Sequence, residues 1–236
     1  LCSMLVVLLA MTGGTFLLMQ ISPVDPVALH FVMMGVPADP QLVAEFRAEL
    51  GLDQPLIVQY VRWLRGILSG DLGYSIAYGV PVADLVCDAL PRTLELAGLS
   101  VLFAMLIAIP LGLLAFYRHG KWADHAVRIV SFLGISLPTF WVGLLLILLF
   151  SVHLRLVPVT ATDGLRSMVL PAVSLAAWIA GLYIRRLRNA LLEEGGKNYV
   201  MGAQALGLPK RIVLWRYIMP NALTGLVPMI GITLGN

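Results

Sequence analysis

Residues 96–117 read LAGLSVLFAMLIAIPLGLLAFY, 22 positions without Asp, Glu, Lys or Arg. At about 1.5 Å of rise per residue, a helix of that length crosses the roughly 30 Å hydrocarbon core of a bilayer. Four further stretches lack all four charged types: 1–24, 129–154, 167–184 and 217–236. Each is near or above the roughly 18 residues that a spanning helix needs. The whole chain agrees, at 59% hydrophobic, 12% charged and a mean hydropathy of +0.90, since a soluble domain carries about twice that charge. The reading is an all-α polytopic membrane helix bundle with five spans visible. The first span lacks a basic n-region and is too long for a signal h-region, so it is expected to stay as an anchor. The start at Leu1 without Met and the end at Asn236 inside an apolar run suggest that both ends are cut.

Loop charges set the expected orientation. Residues 22–91 carry Arg47, Arg62 and Arg65 against eight acids. The loop at 118–128 has Arg118, Lys121 and Arg128, and the loop at 185–216 has seven Lys or Arg residues. An excess of basic residues marks the cytoplasmic side, so the N-terminus is expected inside. Three regions follow: 1–21 as the first spanning helix, 22–91 as an extracytoplasmic helical segment, and 92–236 as the core with spans two to five. The net charge of +3 is a signature of this topology, and no basic cluster interleaved with stacking aromatics points to nucleic acid.

After a break at Ser22 and Pro23, the external segment is expected to hold two short amphipathic helices. Asp39, Pro40 and Gly51 bracket the first, with Val43, Phe46 and Leu50 on one face. Asp53 and Gly70 bracket the second, with Leu56, Tyr60, Leu64, Ile67 and Leu68 along it, and Tyr60 and Trp63 suit a membrane interface. These helices read as a cap on the outer surface or as part of a docking platform for a soluble donor protein.

Between the last two apolar intervals lies NYVMGAQALGLPKRIVLWRYIMP, residues 198–220. Asn198 can cap a helix, Val200, Ala203 and Leu206 recur every three residues, and Gly207 sits where a helix stops. Pro209 can then open a second helix. A helix of two turns, roughly 12 Å long, is marginal alone in water, so something is expected to dock against it.

Small residues at four-residue steps, Ala104, Ala108 and Gly112 in one span and Ala172, Ala176 and Ala180 in another, read as helix-packing seams more than as a substrate path. Pro110, Pro138, Pro171, Pro220 and Pro228 interrupt the apolar runs, which fits kinked helices around a translocation route or a kinked structural bundle. Gly120-Lys121-Trp122, Gly196-Lys197-Asn198 and Pro209-Lys210 all fail the GK[ST] requirement of a Walker A loop. No G-x-S-x-G or HExxH occurs, so no catalytic residue is assigned. Glu95 is expected to pair with Arg92 at the interface, or else to act as a gate. Cys2 and Cys87 give neither a disulfide framework nor metal spacing. His30 with Met33 and Met34 could touch a soft metal, a pattern more often coincidental, and no metal site is assigned.

Residues 198–220 resemble the EAA loop of inner-membrane permease subunits of ABC importers. Met201-Gly202-Ala203, three residues, Gly207, nine residues and Tyr217-Ile218-Met219-Pro220 keep the spacing, the second Ala, the Gly and the Pro. Met201 and Gly202 replace the acid and the first Ala. LGLDQPL at 50–56, VQY at 58–60, GDLGYS at 70–75, LPRTLELA at 90–97, FLGISLPTFW at 132–141 and LPAVSLA at 170–176 are similar to the dipeptide, oligopeptide and nickel branch, leaning to the nickel members.

The resemblance implies a sixth span in the full chain, a bacterial inner-membrane location, and a pore shared with a homologous second permease. It also implies two cytoplasmic ATPase subunits that use ATP and Mg while this chain binds no cofactor, and an extracytoplasmic solute-binding protein. Asn198, Tyr199, Ala203, Leu206, Gly207, Leu208, Pro209 and Pro220 would form the ATPase-coupling element, with Ala203 and Gly207 in close contact with the ATPase. Cargo would be nickel, free or chelated, or short peptides. The alternative is a self-contained secondary carrier or a membrane-embedded enzyme, although such carriers use intramembrane charges that these spans almost lack.

Overall fold

A computed structural model describes residues 2–21, 25–37, 39–157 and 164–235. The expected break at Ser22 and Pro23 lies outside them. The chain forms two compact units, residues 1–91 and 92–236.

In the first unit α1 (Cys2–Gln20) is apolar on every side and buries none of its spanning window. It meets α4 (Leu56–Leu68) through a 2.9 Å hydrogen bond between the Thr12 and Tyr60 hydroxyls and an edge contact of Phe16 on Tyr60. The sequence did not suggest α2 (Pro26–Met33), yet its cap is plain: an Asp25 carboxylate oxygen accepts from the Val27 amide at 3.0 Å, and Pro26 opens the helix. Asp39 does the same for α3 (Pro40–Leu50), and Gly51 at φ +68° closes it. Val43, Phe46 and Leu50 are the half-buried positions of α3, as its periodicity requires. On α4, Tyr60 and Leu64 are half-buried while Leu56, Ile67 and Leu68 stay exposed. Pro55, with no side-chain bond, sits at its cap in place of Asp53. A two-stranded hairpin, β1 (Tyr74–Ser75) with β2 (Val80–Pro81), completes the unit.

In the second unit α8 (Leu165–Gly195) is the axis against which α6 (Trp122–Ser136), α7 (Thr139–Leu146) and α11 (Met219–Thr224) pack. Among the described residues, four helices are long and apolar enough to cross a membrane, or five if a bent pair counts as one span. That pair replaces the straight third span expected at 129–154: α6 and the helix running from Thr139 to His153 meet at 101°. Leu137 is extended at ψ 131°, the conformation that a following proline imposes, and Pro138 caps the next helix. Pro110 and Pro171, by contrast, sit inside the continuous helices α5 (Val82–Tyr117) and α8. Helix α5 begins 14 residues before the charge-free interval 96–117, because turns bearing Asp84, Asp88, Arg92 and Glu95 continue it outside the apolar stretch. Arg92 and Glu95 are exposed and form no ion pair with each other.

The six seam residues are all buried. Ala104, Ala108, Ala176 and Ala180 join Tyr183 and Ile184 in one apolar cluster. A Cβ on Gly112 would stand 2.9 Å from Leu187 Cδ2, so α5 and α8 touch almost backbone to side chain there. The α6–α8 crossing is tighter: a Cβ on Gly134 would lie 2.7 Å from the Ala177 carbonyl, and one on Gly181 2.6 Å from that of Ser131. The Ser131 hydroxyl donates to the Gly181 carbonyl at 2.5 Å across the same gap.

Candidate functional site

Helix α9 (Asn198–Ala205) follows α8 after two residues. Lys197, extended at ψ 149°, holds the cap position expected for Asn198, and its carbonyl accepts from Val200 and Met201. The C-terminus is a Schellman closure. Gly207 at φ +77° donates its amide to the Gln204 carbonyl at 2.9 Å, and Leu208 donates to Ala203 at 3.3 Å. Pro209 then caps α10 (Lys210–Ile212), which begins one position later than expected, and a π-helical segment, Val213–Ile218, leads into α11.

Two layers fix α9 to the bundle. Val200 and Ala203 are buried in a cluster with Leu187, Leu191, Val213 and Leu214. Ala203, at 6% exposure, therefore faces the core of its own chain. The close contact expected of it with a second protein is corrected to internal packing, where its small side chain lets α9 sit close. The polar layer centres on Tyr199, whose hydroxyl donates to Glu194 at 2.5 Å and accepts from Asn221 at 3.2 Å. Asn221 also donates to the Tyr217 carbonyl at 2.8 Å. Desolvation, then the Glu194 hydrogen bond, pushes the Tyr199 phenol above its usual pKa, so the hydroxyl keeps the proton it donates. Lys197 pairs with Glu194, which holds the Lys197 ammonium above its ordinary value.

What remains outward is an apolar and amide surface. Leu206 is 84% exposed and Met201 53%, and Asn198, Gly202, Gln204, Ala205, Gly207 and Pro209 are open beside them. Leu208 is half-buried against the core cluster. Pro220 is exposed in the first turn of α11, and its neighbour Asn221 ties that turn to Tyr199.

A second polar centre escaped the sequence reading. Asp124, 1% exposed in the first turn of α6, accepts two hydrogen bonds from Arg188 of α8, Nε to Oδ1 at 2.5 Å and Nη2 to Oδ2 at 2.6 Å. The Gly120 amide adds a third at 3.0 Å, and His119 Nδ1 stands 3.3 Å away. This bidentate pair joins the basic ends of two helices. Asp124 is the only acid between Arg118 and Arg128, the one signal that could have found it. His30 and its two methionines are not gathered into a site: His30 is buried and stacked on Phe46 at 5.5 Å, while Met33 and Met34 are exposed.

Residues 108–236 match the family described as binding-protein-dependent transport system inner membrane component, and residues 1–97 match the N-terminal region of such components. A probable D,D-dipeptide transport system permease of Escherichia coli (strain K12) is 37% identical over 251 residues, covering 94% of this chain and 73% of the relative. A putative peptide transport system permease of Brucella abortus (strain 2308) is 36% identical over 92% of this chain and 71% of its own length. A metal-staphylopine import system permease of Staphylococcus aureus (strain NCTC 8325 / PS 47) is 33% identical over 89% and 67%. With the multi-pass helical bundle and the spacing of residues 201–220, these matches make the chain a member of the binding-protein-dependent family of ABC importer inner-membrane permeases.

Proposed function

We propose that this chain forms half of an importer's translocation path and receives mechanical work from two ATPase subunits through α9. The carrying observation is the construction of α9, an eight-residue helix locked to the bundle on one face and apolar on the other. A helix held that way transmits displacement, and its uncovered face fits a protein partner. In this reading the basic loops face the cytosol, the N-terminus is inside, and residues 22–91 face the solute-binding protein. ATP and Mg act in the partner subunits, and a homologous permease supplies the other half of the path.

The cargo reading puts short peptides first. The relatives at 36% and 37% identity are named for peptide and D,D-dipeptide transport. A chelated metal is the second reading, favoured by the metal-staphylopine relative; the lean toward nickel belongs to that reading. Uptake of a labelled dipeptide and of free and chelated nickel, compared in cells with and without this chain, separates them. Loss of dipeptide uptake alone supports the first, loss of nickel accumulation the second, and loss of neither removes both. Orientation is tested with Cys2→Ser/Cys87→Ser as background: Gln204→Cys should resist a membrane-impermeant maleimide in whole cells and react after permeabilisation.

A further inference from the structure

The apolar intervals 129–154 and 167–184 each begin or end beside an arginine, Arg128 on α6 and Arg185 on α8. Both arginines line one groove of about 690 Å³ between these helices. The groove has two kinds of wall. Arg128 and Arg185, with His125 and Asn189, make the polar part of the lining, and Ile129, Phe132 and Leu133, all well exposed, the apolar part. Arg188 also borders it but is spent on Asp124. Among the described residues, neither Arg128 nor Arg185 has an ion-pair partner.

We propose that this groove holds the headgroup of an anionic phospholipid, its phosphate between Arg128 and Arg185 and its acyl chain along Phe132 and Leu133. Guanidinium groups from two helices can each offer paired N–H donors to one phosphate, and no other side chain competes for them. The boundary between charged and apolar sequence puts both arginines at headgroup depth, where basic pockets between spanning helices attract anionic lipid. A soluble phosphate would satisfy the arginines and leave the apolar wall bare; a lipid covers both. This inference rests on the orientation proposed above, which maleimide labelling decides separately.

The test uses the assembled importer in nanodiscs made from equal phosphatidylglycerol and phosphatidylcholine, followed by detergent extraction and mass spectrometry of the retained lipid. Wild-type protein should keep phosphatidylglycerol in preference to phosphatidylcholine. Arg128→Gln/Arg185→Gln should keep roughly tenfold less, in line with the attraction that two basic side chains exert near a membrane surface. Arg118→Gln/Lys121→Gln, which removes the same two charges from exposed positions outside the groove, should match wild type and shows that net charge alone is not the cause. Phe132→Ser should also lower retention. Equal retention of the two lipids by wild type, or full retention by the double variant, would overturn the proposal. Displacement by glycerol phosphate and inorganic phosphate at equal potency would assign the groove to a soluble anion and overturn it as well. The readout is lipid and not uptake, so failure here leaves the transport reading standing.

Discussion

Gly207 adopts φ +77° with open space where a Cβ would lie. Strain, and not collision, is therefore what a side chain would bring, at about 1–2 kcal/mol for most residues and less for Asn. Gly207→Leu should leave insertion intact and abolish uptake by misdirecting Leu208 and Pro209, while Gly207→Asn should retain most uptake. Equal uptake by Gly207→Leu and wild type would remove the lever reading. The Asp124–Arg188 pair makes a different claim. Breaking a buried, fully bonded pair strands one charge, so Asp124→Asn should cost about 3–5 kcal/mol, read as a lower thermal midpoint in detergent. Asp124→Leu/Arg188→Met should regain much of that loss, because it removes both charges together. If the double variant is the less stable of the two, the pair contributes more than mutual neutralisation.

Among elements, the α6–α8 crossing depends on missing side chains. A Cβ on Gly181 would meet backbone, the Ser131 carbonyl at 2.6 Å, whereas one on Gly112 would meet the movable Leu187 side chain. Gly181→Ala should therefore cost roughly 1–3 kcal/mol of overpacking strain and Gly112→Ala much less, measured as a difference in thermal midpoint. Which of these could be seen beforehand follows from the physics involved. The seams from Ala104 to Gly112 and from Ala172 to Ala180 were legible because small residues recur at helical spacing. The Gly134–Gly181 contact was not, since Val130 and Pro138 stand four residues either side of Gly134 and only the fold pairs it with Gly181. The bend at Pro138 was half legible: proline announces a break, but the 101° angle comes from how α6 and α7 both fold onto α8. Helix α9 was legible from Gly207 and the three-residue spacing. Its facing was not, because Val200, Ala203 and Leu206 share a spacing, and Leu206 turns outward only where the Schellman closure ends the helix.

At the scale of the whole molecule, the spans carry almost no ionisable groups in their interiors, and charge gathers where the apolar intervals stop. Such a bundle has little chemistry with which to drive its own motion; in the reading proposed above, work enters at a surface, and α9 offers an exposed apolar one beside basic residues. Replacing Leu206 by Asp puts a charge in the centre of that surface without touching the core, since Leu206 is the most exposed large hydrophobic residue of the α9 region. The expected outcome is a permease that inserts normally, keeps its stability within about 0.5 kcal/mol as surface changes do, read as a nearly unchanged thermal midpoint, and fails to copurify with the ATPase subunits proposed as its partners. Uptake should fall with that loss. In proteoliposomes the wild-type chain without ATPase subunits should move no solute above background, and adding the subunits with ATP should restore movement for wild type but not for Leu206→Asp. Transport at full rate without them would show that the bundle powers itself, in which case α9 would be an anchor and the self-contained carrier the better account.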